Sequence, residues 1–293
     1  MAGGTFRFMT RHSAAAILTA AALVTLAPAA PASAQSAQLS SDSPVTNDAT
    51  CVGKPVIFLH GTGASSKDWN NAAAAVSEQG MCPWTIDYGR SGATVMAIAP
   101  VGGYGDVDES AREIEAQIAD IMATTGAEKV SLVGHSQGGT QTKKYIQQLG
   151  HADNVDRVVT LGATYHGTTL NGSAGFLSGL IKVFPHLSSF FASTGSLQQL
   201  VDTPQVTALD QFPDTAPGIL YTAGYSPSDT TATPNQTSML EAGGGADVVN
   251  VNVETQCTDA GKIPHPQLPS SQASVNLVLW GLNRSAGDTA PIC

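Results

Sequence analysis

A Gly-x-Ser-x-Gly pentapeptide is the stretch of this sequence that most directly suggests chemistry. It occupies residues 134–138, follows the apolar run 129–133 and leads into a segment with a helical pattern. A strand, this pentapeptide and a helix in that order hold a serine on a turn so tight that only glycine fits two positions before and after it. The following helix also points its positive end towards the serine. Ser136 is therefore the candidate nucleophile.

A serine hydroxyl needs a base to take its proton, and the base needs a carboxylate to orient it. Four histidines follow Ser136 in the chain: His151, His166, His186 and His265. Only His265 comes after the last predicted strand, so it is the predicted base. His166 precedes every candidate acid, and we expect it instead to line the substrate site or to hold a loop in place.

The carboxylate has several candidates. Five of the aspartates between the serine and the predicted base are the candidates: Asp202, Asp210, Asp214, Asp229 and Asp247. Asp229 lies just beyond a predicted strand at 218–224, as a triad with the chain order serine, acid, histidine requires. Asp247 begins a strand and would lie at the opposite edge of the sheet. Asp229 is therefore favoured, and the other aspartates remain alternatives.

The elements that must position these residues alternate between strand and helix. Short apolar runs predict buried strands, and apolar spacings of three and four, as at Ile114, Ile118 and Ile121, predict helices. Strands are predicted at 54–59, 82–88, 94–100, 129–133, 157–161, 218–224 and 247–253, and helices at 70–79, from Asp106 or Asp108 to Gly126, at 137–149 and at 271–284. The alternation predicts an α/β protein with a mostly parallel central sheet flanked by helices.

An apolar stretch interrupts this alternation after residue 170. Large apolar side chains crowd a span with the single charge Lys182: Phe176, Leu177, Leu180, Ile181, Phe184, Leu187, Phe190 and Phe191. An apolar pocket beside a nucleophile suits an acyl chain. Residues 170–215 are therefore a candidate lid or acyl-pocket insertion, with Phe176, Leu177 and Phe184 as predicted substrate-binding residues. The alternative is ordinary core helices packed on the sheet.

The first residues have the pattern of a secretory signal peptide. Arg7 and Arg11 precede an apolar run over 13–26, and the small-residue site Ala32-Ser33-Ala34 follows. The run is too short to span a bilayer, so no stable membrane insertion is expected. We predict a signal peptide over 1–34, a flexible Ser/Ala/Asp/Thr-rich leader over 35–50, and one catalytic domain over 51–293 in a secreted, extracellular protein.

The net charge and the cysteines limit the kinds of partner and cofactor that we expect. The chain has 13 basic and 23 acidic residues, a net charge of −10, which argues against nucleic acid and anionic membrane surfaces as partners. Four cysteines in an exported chain predict disulfides. Three connectivities are possible, and we favour Cys51–Cys82 and Cys257–Cys293 because each pair is nearest in sequence. Without a C-x-x-C pair, no metal site is predicted.

Two segments together resemble a known family. Val133-Gly134-His135-Ser136-Gln137-Gly138-Gly139 with Thr164-Tyr165-His166-Gly167-Thr168-Thr169-Leu170 is similar to the secreted bacterial lipases of the α/β-hydrolase fold, a group rich in actinobacterial triacylglycerol lipases. The resemblance covers about residues 50–293. The chain differs from the family in the polar Thr140, Gln141 and Thr142 after the second glycine, which bears on substrate preference.

The resemblance implies a mechanism and a substrate class. Asp229 lies five residues before Pro234, the spacing that the family shows around its acid. The backbone N–H groups of Thr62 and Gln137 would hold the oxyanion. Lipid or other ester substrates, an oil–water interface and no cofactor are then expected. A short-chain or cutinase-like esterase, an acyltransferase and an inactive scaffold that serves as a binding module are the alternatives.

Overall fold

In the computed structural model, the described residues are Met1, 47–90, 101–173, 193–257 and 260–292. The chain divides into two compact units, Met1–Ser36 and Ala37–Cys293. Every described residue except Met1 belongs to the second unit. The predicted strand at 94–100 lies outside the described residues.

One sheet of six parallel strands carries the described part of the second unit, in the order β2-β1-β3-β4-β5-β6. The strands are β1 Pro55–Leu59, β2 Cys82–Ile86, β3 Val130–His135, β4 Val155–Leu161, β5 Leu220–Tyr225 and β6 Asp247–Asn252. Every residue of the first three strands is buried, which explains why they read as continuous runs without polar alternation. The predicted α/β class and parallel sheet are confirmed.

Helices follow most strands and cover both faces of the sheet. They are α1 Asn70–Glu78, α2 Val107–Thr125, α3 Gln137–Lys143, α4 Thr194–Gln198, α5 Pro204–Leu209, α6 Val253–Gln256 and α7 Gln272–Asn283. Short 3-10 turns lie at Ser66–Trp69, Ala152–Asn154, Asn235–Ser238 and His265–Gln267. Within the described ranges, none of the helices has the length and apolar character needed to cross a bilayer.

The core has two halves, one on each face of the sheet. Along β1, Val56 and Phe58 belong to one half with α1 and α7, whereas Ile57 and Leu59 belong to the other with α2. This alternation follows from the two-residue period of a strand. Burying one such large aliphatic side chain contributes about 1.5–3 kcal/mol, so both helical layers hold the strand ends in fixed positions.

Capping residues in the sequence set both ends of helix α2. The side chain of Asp106 accepts hydrogen bonds from the N–H groups of Asp108 and Glu109 at 2.9 and 3.1 Å. Asp106 is therefore the N-cap, and Asp108, the other candidate, lies in the first turn. Gly126 closes the helix in the left-handed conformation with φ of 68°, as a C-terminal glycine does.

The helix predicted over 137–149 is not one continuous α-helix. Helix α3 ends at Lys143, and the π turn Lys144–Gln148 follows. The buried amines of Lys143 and Lys144 bind the carboxylates of Asp214 and Asp108 at 2.8 and 2.6 Å. These two ion pairs connect the end of α3 to the segment before β5 and to α2.

The described part of the candidate insertion packs on neighbouring loops. Residues 193–215 contain the short helices α4 and α5. The N–H of Gly195 donates to the carbonyl of Tyr104 at 3.0 Å, and the N–H of Thr168 donates to the carbonyl of Gln199 at 2.8 Å. A lid remains a prediction, since three predicted substrate-binding residues lie outside the described residues: Phe176, Leu177 and Phe184.

A disulfide joins Cys51 to Cys82, as predicted, with a Cα–Cα distance of 5.8 Å. It connects the segment before β1 to the first residue of β2. Cys257 is also disulfide-bonded. Its predicted pairing with Cys293 involves a residue outside the described part of the chain and stays a prediction.

Candidate active site

The candidate site lies at the carboxyl edge of the sheet. In a parallel sheet all strands end at the same edge, which is where α/β proteins place their sites. Thr62 follows β1, Ser136 directly follows β3, Asp229 follows β5, and His265 lies beyond β6 and α6. Four stretches that are far apart in sequence are therefore collected at one edge.

Ser136 is on a strained turn. Its φ is 54° and its ψ is −123°, a conformation that costs a non-glycine residue on the order of 1–3 kcal/mol. Its N–H donates to the carbonyl of Leu161 at 3.0 Å. A Cβ atom on Gly134 would lie 2.6 Å from the carbonyl carbon of Gly138, and one on Gly138 would lie 2.1 Å from the carbonyl oxygen of Leu59. Both positions exclude a side chain: Gly134 because of the turn itself, and Gly138 because of the adjacent backbone of β1.

Asp229 and His265 form a buried hydrogen-bonded pair. The Nδ1 atom of His265 lies 2.6 Å from Oδ2 of Asp229. The other carboxylate oxygen, Oδ1, accepts the N–H groups of Thr231 and Ala232 at 2.7 and 2.9 Å. A carboxylate accepts from Nδ1–H, so Nε2 of the imidazole is left as the basic nitrogen. This arrangement is the one that a general base beside a serine requires.

The neighbours of Ser136 bring the pair to the serine. His135, the preceding residue, has its ring centre 4.6 Å from that of His265. Leu161, which binds the N–H of Ser136, is followed by Gly162 with φ of 55°. A Cβ atom on Gly162 would lie 3.1 Å from Oδ2 of Asp229 and 3.3 Å from Nδ1 of His265. The candidate acid and the candidate base therefore pack directly on the backbone beside the serine.

Glu254 connects the loop after β5, which carries Asp229, to the loop that carries His265. Its carboxylate accepts the N–H of Ile263 at 2.9 Å and lies 2.7 Å from the hydroxyl of Ser226. The same hydroxyl lies 2.6 Å from the carbonyl of Ile263. Burial favours the neutral carboxyl, but the hydrogen bonds from Ile263 and Ser226 outweigh it and lower the pKa of Glu254. No sequence pattern predicts that Glu254 connects these loops, because the role depends only on contacts between segments that are separate in the chain.

The loop after β1 lies against the serine. A Cβ atom on Gly61 would lie 3.0 Å from Cβ of Ser136. His60, fully buried, has Nδ1 2.8 Å from the carbonyl of Gly61 and stacks on Tyr88 at 4.4 Å. Burial lowers the pKa of His60, which keeps the imidazole neutral. This packing fixes the loop that carries Thr62 next to the candidate nucleophile.

The two predicted oxyanion residues are joined through their side chains. The Nε2 atom of Gln137 donates to Oγ1 of Thr62 and to the carbonyl of Gly103, each at 3.0 Å. Nε2 of Gln199 donates to the same hydroxyl at 2.8 Å. With two N–H groups directed at its oxygen, the hydroxyl of Thr62 keeps its own hydrogen free for a further acceptor. Gln199 was missed in the sequence, where it is one of two adjacent glutamines without distinguishing pattern.

The backbone N–H of Gln137 lies in the first turn of α3. The first N–H groups of a helix have no partner within it and are directed towards its positive end. An N–H group in this position can meet a negative charge that develops next to Ser136. The structure thus places Thr62 and Gln137 side by side and next to the serine.

His166 lies in an ion-pair cluster. Its Nδ1 lies 2.9 Å from Asp210 and its Nε2 lies 3.3 Å from Asp214, and Lys143 binds Asp214 from the other side. The hydrogen bond to Asp214 raises the pKa of His166, against the effect of burial. Burial alone would raise the pKa of Asp214, but His166 and Lys143 hold it far below its ordinary value. Of the two roles predicted for His166, this geometry supports that of holding loops together.

The cluster borders a cleft of about 370 Å³ that Phe212 and Glu241 also line. This cleft contains none of the residues of the candidate triad. Among the described residues, no group of three or more His, Cys, Asp or Glu side chains is arranged to hold a metal ion.

Comparisons with known proteins agree with this topology. A family model described as the alpha/beta hydrolase fold matches residues 54–182. A non-heme haloperoxidase of Rhodococcus erythropolis is 33% identical over 114 residues, which are 38% of this chain and 37% of that protein. A triacylglycerol lipase of Pseudarthrobacter phenanthrenivorans is 30% identical over 133 residues, 45% of this chain and 38% of that protein. The aligned part thus spans little more than a third of these relatives.

A solved structure extends the likeness beyond the aligned sequences. Lipase B of Aspergillus fumigatus superimposes with a TM-score of 0.62 at 20% identity, over 80% of this chain and 54% of that chain. At this identity the likeness concerns the fold alone. The parallel sheet, the family model and this superposition together show that the chain has the α/β-hydrolase fold.

Proposed function

We propose that this protein is a serine hydrolase of carboxylic esters and that its substrates are acylglycerols. The observation that carries the proposal is the 2.6 Å hydrogen bond between His265 and Asp229 beside a serine with φ of 54°. A base oriented by a carboxylate, next to a serine on a strained turn, is the arrangement that activates a hydroxyl for attack on a carbonyl. The triacylglycerol lipase among the relatives supports an ester as the substrate.

The proposed reaction has two steps. Oγ of Ser136 attacks the ester carbonyl while Nε2 of His265 takes the hydroxyl proton, and Asp229 stabilises the imidazolium. The N–H groups of Thr62 and Gln137 hold the oxyanion, and the collapse of the intermediate releases the alcohol with the proton from His265. Water then attacks the acyl-enzyme with His265 as base, which releases the carboxylic acid and restores the serine.

Hydrogen-bond donors directed at the oxyanion should account for a large part of the rate enhancement in the proposed reaction. Loss of one such donor in comparable sites slows turnover by about 10²–10³-fold. The hydroxyl of Thr62, held by Gln137 and Gln199, can add a third donor. The predicted substrate-binding residues Phe176, Leu177 and Phe184, together with the signal peptide over 1–34, belong to this proposal: a secreted enzyme would meet lipid or other ester substrates outside the cell.

A labelling experiment tests the nucleophile. The purified protein is treated with an organophosphonate ester, digested and mapped by mass spectrometry. We expect one adduct, on Ser136, and no adduct in Ser136→Ala. Ser131→Ala is the matched control and should leave labelling intact, because Ser131 is also a buried serine and lies in β3, the strand directly before Ser136. An adduct on another serine would contradict the proposal.

Turnover of esters with increasing acyl length tests the substrate class. A lipase should cleave long-chain acylglycerols, whereas activity confined to short chains or to polyesters would favour the esterase alternative. Addition of an alcohol or sugar acceptor decides between hydrolysis and acyl transfer, since a transferase would form a new ester in place of the free acid. Amino-terminal sequencing of protein exported from cells tests the predicted cleavage after Ala34.

A further inference from the structure

The side chain of His135 links the candidate nucleophile to the loop of the candidate base. His135 is the last residue of β3 and is buried. Its Nε2 atom lies 3.0 Å from the backbone carbonyl oxygen of His265, 130 positions later in the chain. Because a carbonyl oxygen only accepts, the proton of the neutral ring is on Nε2. The serine and the base are thus connected by one hydrogen bond from the residue adjacent to the serine.

The other ring nitrogen of His135 faces the loop after β1, which carries Gly61 and Thr62. Nδ1 is buried and has no hydrogen-bond partner in the described part of the chain. A Cβ atom on Gly61 would lie 3.1 Å from it, so the ring fills the space between the backbone of Gly61 and the loop of His265. The imidazole of His135 therefore lies between the loop after β1 and the loop that carries His265, and it sets the distance between them.

The environment keeps this imidazole neutral. A second proton on Nδ1 would bury a charged N–H group without an acceptor, which is unfavourable. Burial lowers the pKa of His135 well below its ordinary value, and the nearby His265 lowers it further. The Nε2–H donor is therefore retained while His265 itself gains and loses a proton.

We propose that His135 is a positioning residue that holds the backbone of His265 at the distance from Ser136 that proton transfer requires. This inference rests on the proposed function. The carbonyl of His265 also accepts the N–H of Leu268 at 3.2 Å, but that bond is local to the same turn. Asp229 fixes the ring of His265, and His135 fixes its main chain against the strand that carries the serine.

Such a restraint acts on rate more than on binding. A displacement of about 1 Å in a reacting group can slow catalysis by about 10²-fold. Loss of the His135 bond leaves the ester-binding surface in place, so KM should change little. The expected signature is a fall in kcat at nearly constant KM.

Two amide substitutions separate the donor from mere packing. In His135→Gln the side-chain N–H reaches the position of Nε2, whereas in His135→Asn it reaches only that of Nδ1. We expect His135→Asn to lose about 10–100-fold in kcat with KM within about twofold, and His135→Gln to stay within about threefold of wild type. The assay uses a p-nitrophenyl ester, with phosphonate titration to count active sites. Equal activities of the two variants, high or low, would overturn the proposal.

A measurement on the wild-type protein decides the tautomer even where a variant does not fold. With ¹⁵N-labelled histidine at neutral pH, we expect a protonated Nε2 and an unprotonated Nδ1 for His135. A protonated Nδ1 would overturn the assignment. Because this spectrum requires no turnover, it can fail while Ser136 is labelled by the phosphonate, and it can succeed where labelling fails. The two proposals are therefore tested separately.

Discussion

The imidazole of His265 meets the carboxylate of Asp229 with a Nδ1–Oδ2 distance of 2.6 Å, and both side chains are buried. The second oxygen of Asp229 is occupied by two backbone N–H groups. These hydrogen bonds to both oxygens keep the carboxylate from rotating away from the imidazole. A carboxylate held in this way selects one imidazole tautomer, and the choice of tautomer determines which nitrogen faces a substrate.

Replacement of Asp229 by asparagine should remove this selection. The amide keeps the shape but not the charge, so the wrong tautomer becomes favourable. We expect Asp229→Asn to lower kcat/KM by about 10³–10⁴-fold. Kinetics on a p-nitrophenyl ester, with circular dichroism to verify folding, measures the effect. Asp202→Asn is the matched control, since Asp202 is exposed and was one of the alternative acids. A large loss in the control and a small one in Asp229→Asn would contradict the assignment.

The glycine next to the acid–base pair offers a test of close packing. A Cβ atom on Gly162 would lie 2.6 Å from Leu268 and 3.1 Å from Asp229, whereas one on Gly150, which also has a positive φ, would meet no atom of the described residues within 4 Å. Gly162→Ala should therefore destabilise the protein by more than the strain of about 1–3 kcal/mol expected for Gly150→Ala. Urea unfolding of both variants measures the difference, and equal losses would contradict the packing.

Activity should distinguish the same two glycine variants. The added methyl in Gly162→Ala must displace the acid or the base, so we expect its kcat to fall by at least about tenfold. Gly150→Ala should retain the wild-type kcat, since its methyl is remote from these side chains.

The side chain of Gln199 should support the proposed oxyanion site. In Gln199→Leu, Thr62 loses one of its two amide donors, and its hydroxyl gains freedom to turn away from a substrate. We expect kcat to fall by about tenfold, less than the 10²–10³-fold typical of losing an oxyanion donor outright. The neighbouring Gln198→Leu is the control, because Gln198 binds Asp106 and the start of α2. Steady-state kinetics of the two variants should differ in kcat, and the prediction is wrong if they do not.

The ion-pair cluster around His166 should make stability depend on pH. The raised pKa of His166 means that its contribution is complete below its unfolded pKa of about 6.5 and is lost as pH rises through the folded value. The lowered pKa of Asp214 means that its contribution is present above about 3.8 and is lost as pH falls. His166→Gln should therefore reduce the free energy of unfolding more at pH 5.5 than at pH 9. Urea titrations at both pH values measure it, and equal losses would contradict the ion pairs.

Local chemistry in the sequence determined a large part of this protein. The strained turn at Ser136 is indicated by the glycines two positions away on each side. The collision that excludes a side chain at Gly134 is local, with Gly138, whereas the one at Gly138 is with Leu59 of the neighbouring strand β1. The strands β1 to β6 follow from apolar runs, and the end of α2 at Gly126 follows from a left-handed backbone conformation that glycine adopts without strain. The partners in the Cys51–Cys82 disulfide, close in sequence, were likewise predictable.

The tertiary structure alone decided how the loops meet. His135 and His265 are 130 positions apart, Gln199 reaches Thr62 across 137, and Glu254 joins two separate loops. No periodicity records such contacts, because they depend on how parallel strands bring distant loop ends to one edge. The sequence selected the types of residue that can react, and the order of the strands in the sheet decided which of them touch.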